Sequence, residues 1–432
     1  MPKVLILYHF YSPDDVVSAQ IFSGLAEGLA RETEPSPDQP SSAQSWQVEV
    51  WPGNRSSHHE NEKYGTTVEM LAGVKVARVW RPALRQHSFL GRIFNSIWMQ
   101  KAWAWRLLLN PSYKPDIIII GTDPIFSVGL STSLKFLRPK AKLVHWCFDL
   151  YPEAAVADGI MGTNNPLVKL LKYGLKRAYK KCDLVVDLGP CMREKLEAYG
   201  IGKEPQTTPL EGEGKKRETK MVTLTPWALE EPSSPLPFDS HERSQLFGHS
   251  HLGLLYSGTL GRAHDFYLTL KLARLMRLTA TFCYSARGGR LAELNKAVNP
   301  EDYNVRFVPF ADQKRLAIRL SSPDIHLVSL RQEWSGTVVP SKFFGALAIG
   351  RPVLFEGDPQ SSIARWIEEF KVGWVLKADN LAEITKALTQ FSDNEKERTA
   401  MFKRCHKVYQ ENFSKKIILD RWDKELRTLI NS

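Results

Sequence analysis

Residues Leu252–Met276 read LGLLYSGTLGRAHDFYLTLKLARLM. Leu252–Tyr256 is an apolar run of strand length, the glycines Gly258 and Gly261 mark a tight turn, and Asp265–Met276 carries apolar residues at helical spacing. A strand without polar alternation is buried on both faces, the habit of parallel sheets whose crossovers are helices. Similar units recur on both sides of this one. Before it, strands are predicted at Val4–Tyr8, Val48–Trp51, Val74–Val79, Ile117–Ile120, Leu143–Trp146 and Leu184–Asp187, with helices at Ala19–Arg31, Ile125–Phe136, Pro166–Lys181 and Arg193–Tyr199. After it, strands at Thr281–Tyr284, Val305–Val308, Ile325–Leu330 and Pro352–Phe355 alternate with helices at Leu291–Val298, Gln313–Leu320 and Ser341–Ile349. Helices alone close the chain, at Ile363–Phe370, Leu381–Phe391, Glu395–Asn412 and Ile417–Leu429. The predicted fold class is α/β: two tandem Rossmann-like, doubly wound domains with a cleft between them.

The expected division is 1–202 for an N-terminal domain and 252–414 for a C-terminal one, with 415–432 packing back on the first. Between them, 203–251 reads as linker and insertion, because Lys203–Lys220 is polar and aperiodic and Glu230–Pro237 holds three prolines. Thr33–Ser45, rich in Pro and Ser, reads as a disordered loop. A chain of 432 residues suits two such domains at roughly 100–200 residues each. With 43% hydrophobic and 24% charged residues, a wholly disordered or collagen-like chain is excluded. No apolar run approaches the roughly 18 residues of a spanning helix, and Met1–Tyr11 reads as a first strand rather than a signal peptide. Five scattered cysteines without zinc spacing point to a reduced, cytoplasmic setting.

Chemistry concentrates at a few places. Gly258 and Gly261 let the backbone approach an anion closely, and Arg262 lies directly beyond, where its fork can bridge phosphate oxygens. An ordinary βα turn with a surface arginine is the competing reading. Gly336–Pro352, GTVVPSKFFGALAIGRP, reads as a loop entering a helix, with Pro340 and Ser341 at its start. The N–H groups around Gly336, Thr337 and Val338 and the charge of Lys342 suit a diphosphate at that helix start. Arg262 and Lys342 together would stabilise a nucleoside diphosphate leaving group without metal or other cofactor.

These two segments resemble the donor half of glycosyltransferase family 4, a retaining family of GT-B fold. His145–Glu153, HWCFDLYPE, resembles the Asp-Leu-Trp-Pro-Glu segment of its bacterial polysaccharide branch. The resemblance implies metal-independent transfer from a nucleotide-sugar donor, the leaving phosphate itself accepting the proton. The family's paired glutamates, seven residues apart, fall here on Thr337 and Gly345, so their contacts to ribose and sugar must come from elsewhere. Glu333 is the nearest carboxylate to face the sugar, or else a solvated loop residue, and Arg331 could serve the phosphates. In the first half, Asp149 follows a strand end and suits the orientation or deprotonation of an acceptor hydroxyl, or a helix N-cap before Pro152. Glu153, Asp14 and Ser18 are the further acceptor candidates, and His145 reads as a core residue.

Lys and Arg number 58 against 47 Asp and Glu, a net +11. Met70–Pro115 contains eight basic residues and no acidic one, together with Trp80, Trp98, Trp103 and Trp105. Within it, 89–109 is helical in pattern, its aromatic and basic residues suited to an anionic membrane interface; Lys169, Lys172, Lys176 and Lys180 form a second basic stripe within 169–181. Solvated basic helices packed on the sheet are the plainer reading. The predicted partners are a nucleotide-sugar donor, a glycan or polyprenyl-linked acceptor and an anionic membrane surface, with the chain peripheral on the inner face of the plasma membrane. Nucleic acid is not expected, since no nucleic-acid motif accompanies the charge. The rival functions are a nucleotide-sugar epimerase of similar build, and a catalytically silent module that binds nucleotide or membrane.

Overall fold

The computed structural model describes residues 1–31, 45–57, 62–65, 68–84, 89–202, 219–311 and 313–432. Nearly all of the loop expected at Thr33–Ser45, and most of Lys203–Lys220, lie outside these residues. The chain forms two units: 1–153 with 161–224 and 419–432, and 154–160 with 225–418.

The first unit is built on eight strands: β1 (Lys3–Leu7), β2 (Gln47–Val50), β3 (Val68–Leu71), β4 (Val74–Ala77), β5 (Ile117–Gly121), β6 (Lys142–Trp146), β7 (Leu184–Asp187) and β8 (Lys220–Thr223). Their order is β3-β4-β2-β1-β5-β6-β7-β8, and only the β3/β4 pair is antiparallel. Every residue of β5 (IIIIG) is buried, as its unbroken apolar run requires of a central parallel strand. The second unit holds β9 (Leu252–Thr259), β10 (Ala280–Arg287), β11 (Val305–Phe307), β12 (Ile325–Leu330), β13 (Val353–Gly357) and β14 (Gly373–Leu376). Its order is β11-β10-β9-β12-β13-β14, parallel throughout.

Both sheets reverse their strand order once, between β1 and β5 in the first and between β9 and β12 in the second. Loops leaving two such neighbouring strands diverge and open a crevice beyond the carboxyl ends. Helix Lys342–Ile349 is set beside the second crevice by burying Phe343, Phe344, Leu347 and Ile349, which leaves its first turn little freedom to rotate.

The structure departs from the periodicity in four places. β3 and β14 carry no strong apolar signal because each lies at a sheet edge and buries its residues only in part. Strand β8 and helix Ser240–Phe247 fall inside the stretch read as linker; β8 completes the edge of the first sheet. The helix expected at Ile125–Phe136 starts later, because Phe126 adopts a left-handed conformation (φ 60°) and a 3-10 turn at Ser127–Leu130 precedes helix Ser131–Leu137. In the C-terminal helix Lys415–Asn431, Trp422 is fully buried and meets Trp146 of β6 edge-on at 4.9 Å.

A buried aspartate sets strand starts in each sheet. Asp183 accepts from Leu143 N–H at 2.7 Å and pairs with Lys135 at 2.8 Å. Asp324 accepts from Gly253 N–H and from the Arg243 guanidinium, both at 2.7 Å. Removing one partner of such a buried pair strands the other, at a cost of about 3–5 kcal/mol. Asp324→Ala should therefore lower the melting temperature of the second unit by several degrees in thermal denaturation, leaving that of the first near its wild-type value.

Candidate active site

The second crevice collects cations. Gly258, the penultimate residue of β9, has a φ of 127° that favours glycine, and a Cβ there would stand 2.7 Å from Lys342 Cε. Lys342 thus folds against Gly258. Its ammonium donates to the Thr259 carbonyl at 3.2 Å and lies 5.1 Å from the centre of the Tyr256 ring. Burial pushes this ammonium down to about 8. Among the described residues, the N–H groups of Val338, Ser341 and Lys342 have no protein partner, so the helix start offers donors beside the charge.

Arg262, Arg290 and Arg331 line a depression of about 320 Å³ together with Asp158, Asp265 and Glu293. Arg262 is 68% exposed and pairs with Asp158 at 3.0 Å. Arg290 is largely covered. It donates to the His264 carbonyl at 2.5 Å, pairs with Glu293 at 3.0 Å and lies over the Phe266 ring at 5.1 Å. Arg331 N–H donates to the Ala263 carbonyl at 2.8 Å, tying the loop after β12 to the loop after β9. Its guanidinium stands 3.6 Å from Glu333, which is exposed on a 3-10 turn at Gln332–Trp334. Gly261 opens the tight turn, its carbonyl accepting from His264 N–H at 3.0 Å.

The pair of positions lacking carboxylates resolves differently at each end. Thr337 is fully buried, and both its hydroxyl (2.7 Å) and its N–H (3.0 Å) donate to the Trp334 carbonyl. This corrects the expectation that Thr337 N–H faces a ligand: it is consumed in the turn that Gly336 (φ 73°) makes possible. At Gly345 a Cβ would meet nothing within 4 Å, so sterics do not demand glycine there.

Beside the first crevice, the loops after β5 and β6 form an acidic pocket. Arg92, Thr122, Asp123, Ile125, Asp149 and Tyr151 line a pocket of about 100 Å³. Phe148 N–H donates to the Thr122 hydroxyl at 2.7 Å and fixes the turn that presents Asp149. Burial, then the neighbouring Asp123 charge, push the Asp149 carboxyl up to about 6, and Arg92 opposes the rise. His9, buried after β1, meets Asp123 Oδ1 through Nδ1 at 3.0 Å. Burial lowers its affinity for a proton although Asp123 favours the cation.

Two acceptor candidates are committed elsewhere. Asp14 is buried and takes both the N–H (3.0 Å) and the hydroxyl of Ser57, pinning the loop after β2 to the loop after β1. Glu153 accepts from Tyr199 at 2.7 Å and Lys172 at 3.0 Å, tying helix Pro166–Tyr179 and Tyr199 to the turn after β6. Both corrections have one cause: the carboxylate turns to internal donors, although Oε2 of Glu153 is left without a partner. Ser18 meets the buried Tyr8 phenol. His145 lies within the core, its proton affinity pushed down to about 4 by burial. The sequence reading does not single out Asp123, His9, His264 or Arg290, and it assigns Arg92 to the membrane-facing helix 89–109 rather than to this pocket. A signal existed for Asp123 and His9, which follow the strands at a reversal of order, but that order is not written in the sequence.

Helix Phe89–Leu109 buries Met99, Trp103 and Leu107 and exposes Phe94, Ile97, Trp98, Lys101, Trp105 and Leu108 along its other side. Helix Pro166–Tyr179 exposes Leu167, Leu170 and Tyr173 beside Lys169, Lys172 and Lys176. No helix among the described residues is long and apolar enough to cross a membrane.

No protein-family model matches the chain. Over 330 residues it is 21% identical to a probable glycosyltransferase, WbjE, of Pseudomonas aeruginosa, covering 75% of this chain and 77% of that one. Among solved structures, it superposes on a sucrose-phosphate synthase from Thermosynechococcus elongatus with a TM-score of 0.70, at 13% identity, over 100% of both chains. It superposes on Anabaena Alr3699/HepE in complex with UDP with a TM-score of 0.61, at 10% identity, over 99% of this chain and 100% of that one. The fold is the GT-B build that the α/β reading anticipated.

Gly258→Ala should expel Lys342 from its place and strain the turn, costing about 1–3 kcal/mol. Chemical denaturation measures the loss, and a rise in the Lys342 proton affinity, followed by NMR of the ammonium, reports the release.

Proposed function

We propose that this GT-B glycosyltransferase retains anomeric configuration and moves a sugar from a nucleotide-sugar donor to a glycan or lipid-linked acceptor without a metal ion. The coarser statement, a glycosyltransferase of GT-B type, rests on the Pseudomonas relative and on the fold. The observation that supports its nucleotide-sugar part is the seating of Lys342 against Gly258, beside free N–H groups at a helix start, while retention of configuration rests on the family resemblance. Such a site favours a diphosphate strongly, because a half-buried cation and oriented donors need no rearrangement to meet it. The UDP bound to the Anabaena neighbour agrees in chemical class.

In this reading Lys342, the N–H groups of Val338 and Ser341, and Arg262 and Arg331 hold the diphosphate in the second unit. Asp149 orients the acceptor hydroxyl in the first. The acceptor oxygen bonds to the anomeric carbon as the bond to the diphosphate oxygen breaks. The acceptor's proton passes to that leaving oxygen, and the cations carry the charge that develops there. Glu333 is placed to face the donor sugar only if it leaves Arg331. The two amphipathic helices would hold the first unit on an anionic membrane at its inner face, rings at headgroup depth and lysines toward the lipid phosphates.

Lys342→Ala should cut transfer about 10²–10³-fold with the fold intact by circular dichroism. Arg262→Ala, at an exposed position, should cost less. Unchanged turnover in both removes the phosphate site, whereas release of free sugar without any acceptor would favour an epimerase. The dependence of kcat/KM on pH should be bell-shaped. The acid limb lies near 6, where Asp149 gains its proton, and the alkaline limb near 8, where Lys342 loses its own. Asp149→Asn should abolish the acid limb in the residual activity. In flotation assays the chain should rise with phosphatidylglycerol vesicles and stay behind with phosphatidylcholine; indifference to lipid charge defeats the membrane part.

A further inference from the structure

We propose that His264 binds the donor directly, its Nε2 accepting a hydrogen bond from a hydroxyl of the donor's sugar or ribose. The inference rests on reading the second crevice as the donor site. It addresses what replaces the carboxylates missing at Thr337 and Gly345.

His264 is held on several sides at the reversal of strand order. Its Nδ1 lies 2.7 Å from the carbonyl of Ser329 on β12, so Nδ1 carries the proton and donates it. Its N–H donates to Gly261 and its carbonyl accepts from Arg290. The ring meets Tyr256 nearly edge-on, with centroids 6.0 Å apart. A ring anchored this way has one tautomer, and its outer nitrogen is an acceptor only. Among the described residues Nε2 has no protein partner, and it is not sealed in the core.

The surroundings keep that lone pair available. Burial and the charges of Lys342 and Arg290 push the ring down to about 3, so it stays neutral at physiological pH. The nearby carboxylates are engaged. Asp158 holds Arg262, Glu293 holds Arg290, and Asp265 accepts from Phe266 N–H at 2.8 Å and faces Arg290 at 3.7 Å. Hydroxyl protons arriving among arginines and a lysine meet a shortage of acceptors, and His264 supplies one. A neutral acceptor in place of a carboxylate also leaves the cations undiminished for the diphosphate.

Two variants separate this role from a structural one. His264→Asn keeps an amide N–H where Nδ1 stands, preserving the bond to Ser329, but has no atom at Nε2; His264→Phe removes both. The full chain is titrated calorimetrically with UDP, UDP-glucose, GDP and GDP-mannose, with melting temperature as the check on folding. For the nucleotide sugar that wild type binds, both variants should bind about three- to tenfold more weakly, the worth of one neutral hydrogen bond. A loss shared by the bare diphosphate assigns the hydroxyl to the ribose; a loss confined to the nucleotide sugar assigns it to the sugar. Wild-type affinity in His264→Asn overturns the inference and leaves His264 a structural tie. A wild-type chain that binds none of the four ends the donor-site reading, and this inference with it.

Discussion

The seating of one lysine governs the cationic crevice of the second unit. Lys342 can turn its ammonium inward only because residue 258 has no side chain, and the ammonium reaches the end of β9 only because Phe343 and Phe344 lock the helix behind it. A partly desolvated cation held on a single carbonyl and a ring face is electrostatically incomplete, and its depressed proton affinity expresses that. In the proposed function the donor's diphosphate completes it. The arginines around the depression extend the same positive field, but each already has a carboxylate partner. Lys342 has none among the described residues.

The two units use one architecture for opposite electrostatics. Each sheet reverses its strand order once, and each places its reactive groups on loops leaving the strands at or next to that point. In the second unit those loops and the following helix supply Arg262, Arg331 and Lys342. In the first they supply His9 and Asp123, and Asp149 joins them from the loop after the next strand, β6. Carboxylates suit hydroxyl protons and cations suit phosphates, which is why the proposed function assigns the acceptor to the first unit and the donor to the second.

Residue type proved a poor guide to role wherever burial intervened. Asp14, Glu153 and Thr337 all stand on loops or helix starts that suit ligand contact, and all spend their hydrogen bonds inward. In each case the loop needs an internal tie more than the surface needs a polar group, since an unmatched buried donor or acceptor costs more than a solvated one gains. Asp149 escapes this because Thr122 satisfies the backbone of its turn, leaving the carboxylate to the pocket.

The sequence by itself determined the alternation of buried strands and helices, since apolar runs and periods follow from which faces must leave water. It also determined the two glycine-marked turns and the cationic helix start at Lys342, because these depend on residues within a few positions of one another. Edge strands β3 and β14 escaped, their burial being too partial to impose a pattern. Tertiary structure alone decided which strands are neighbours, and hence where each crevice opens. It thereby brought His9 to Asp123 across 114 positions and His264 to Ser329 across 65. Such pairings depend on strand order, which local periodicity does not encode, because every buried parallel strand presents much the same apolar faces to any neighbour.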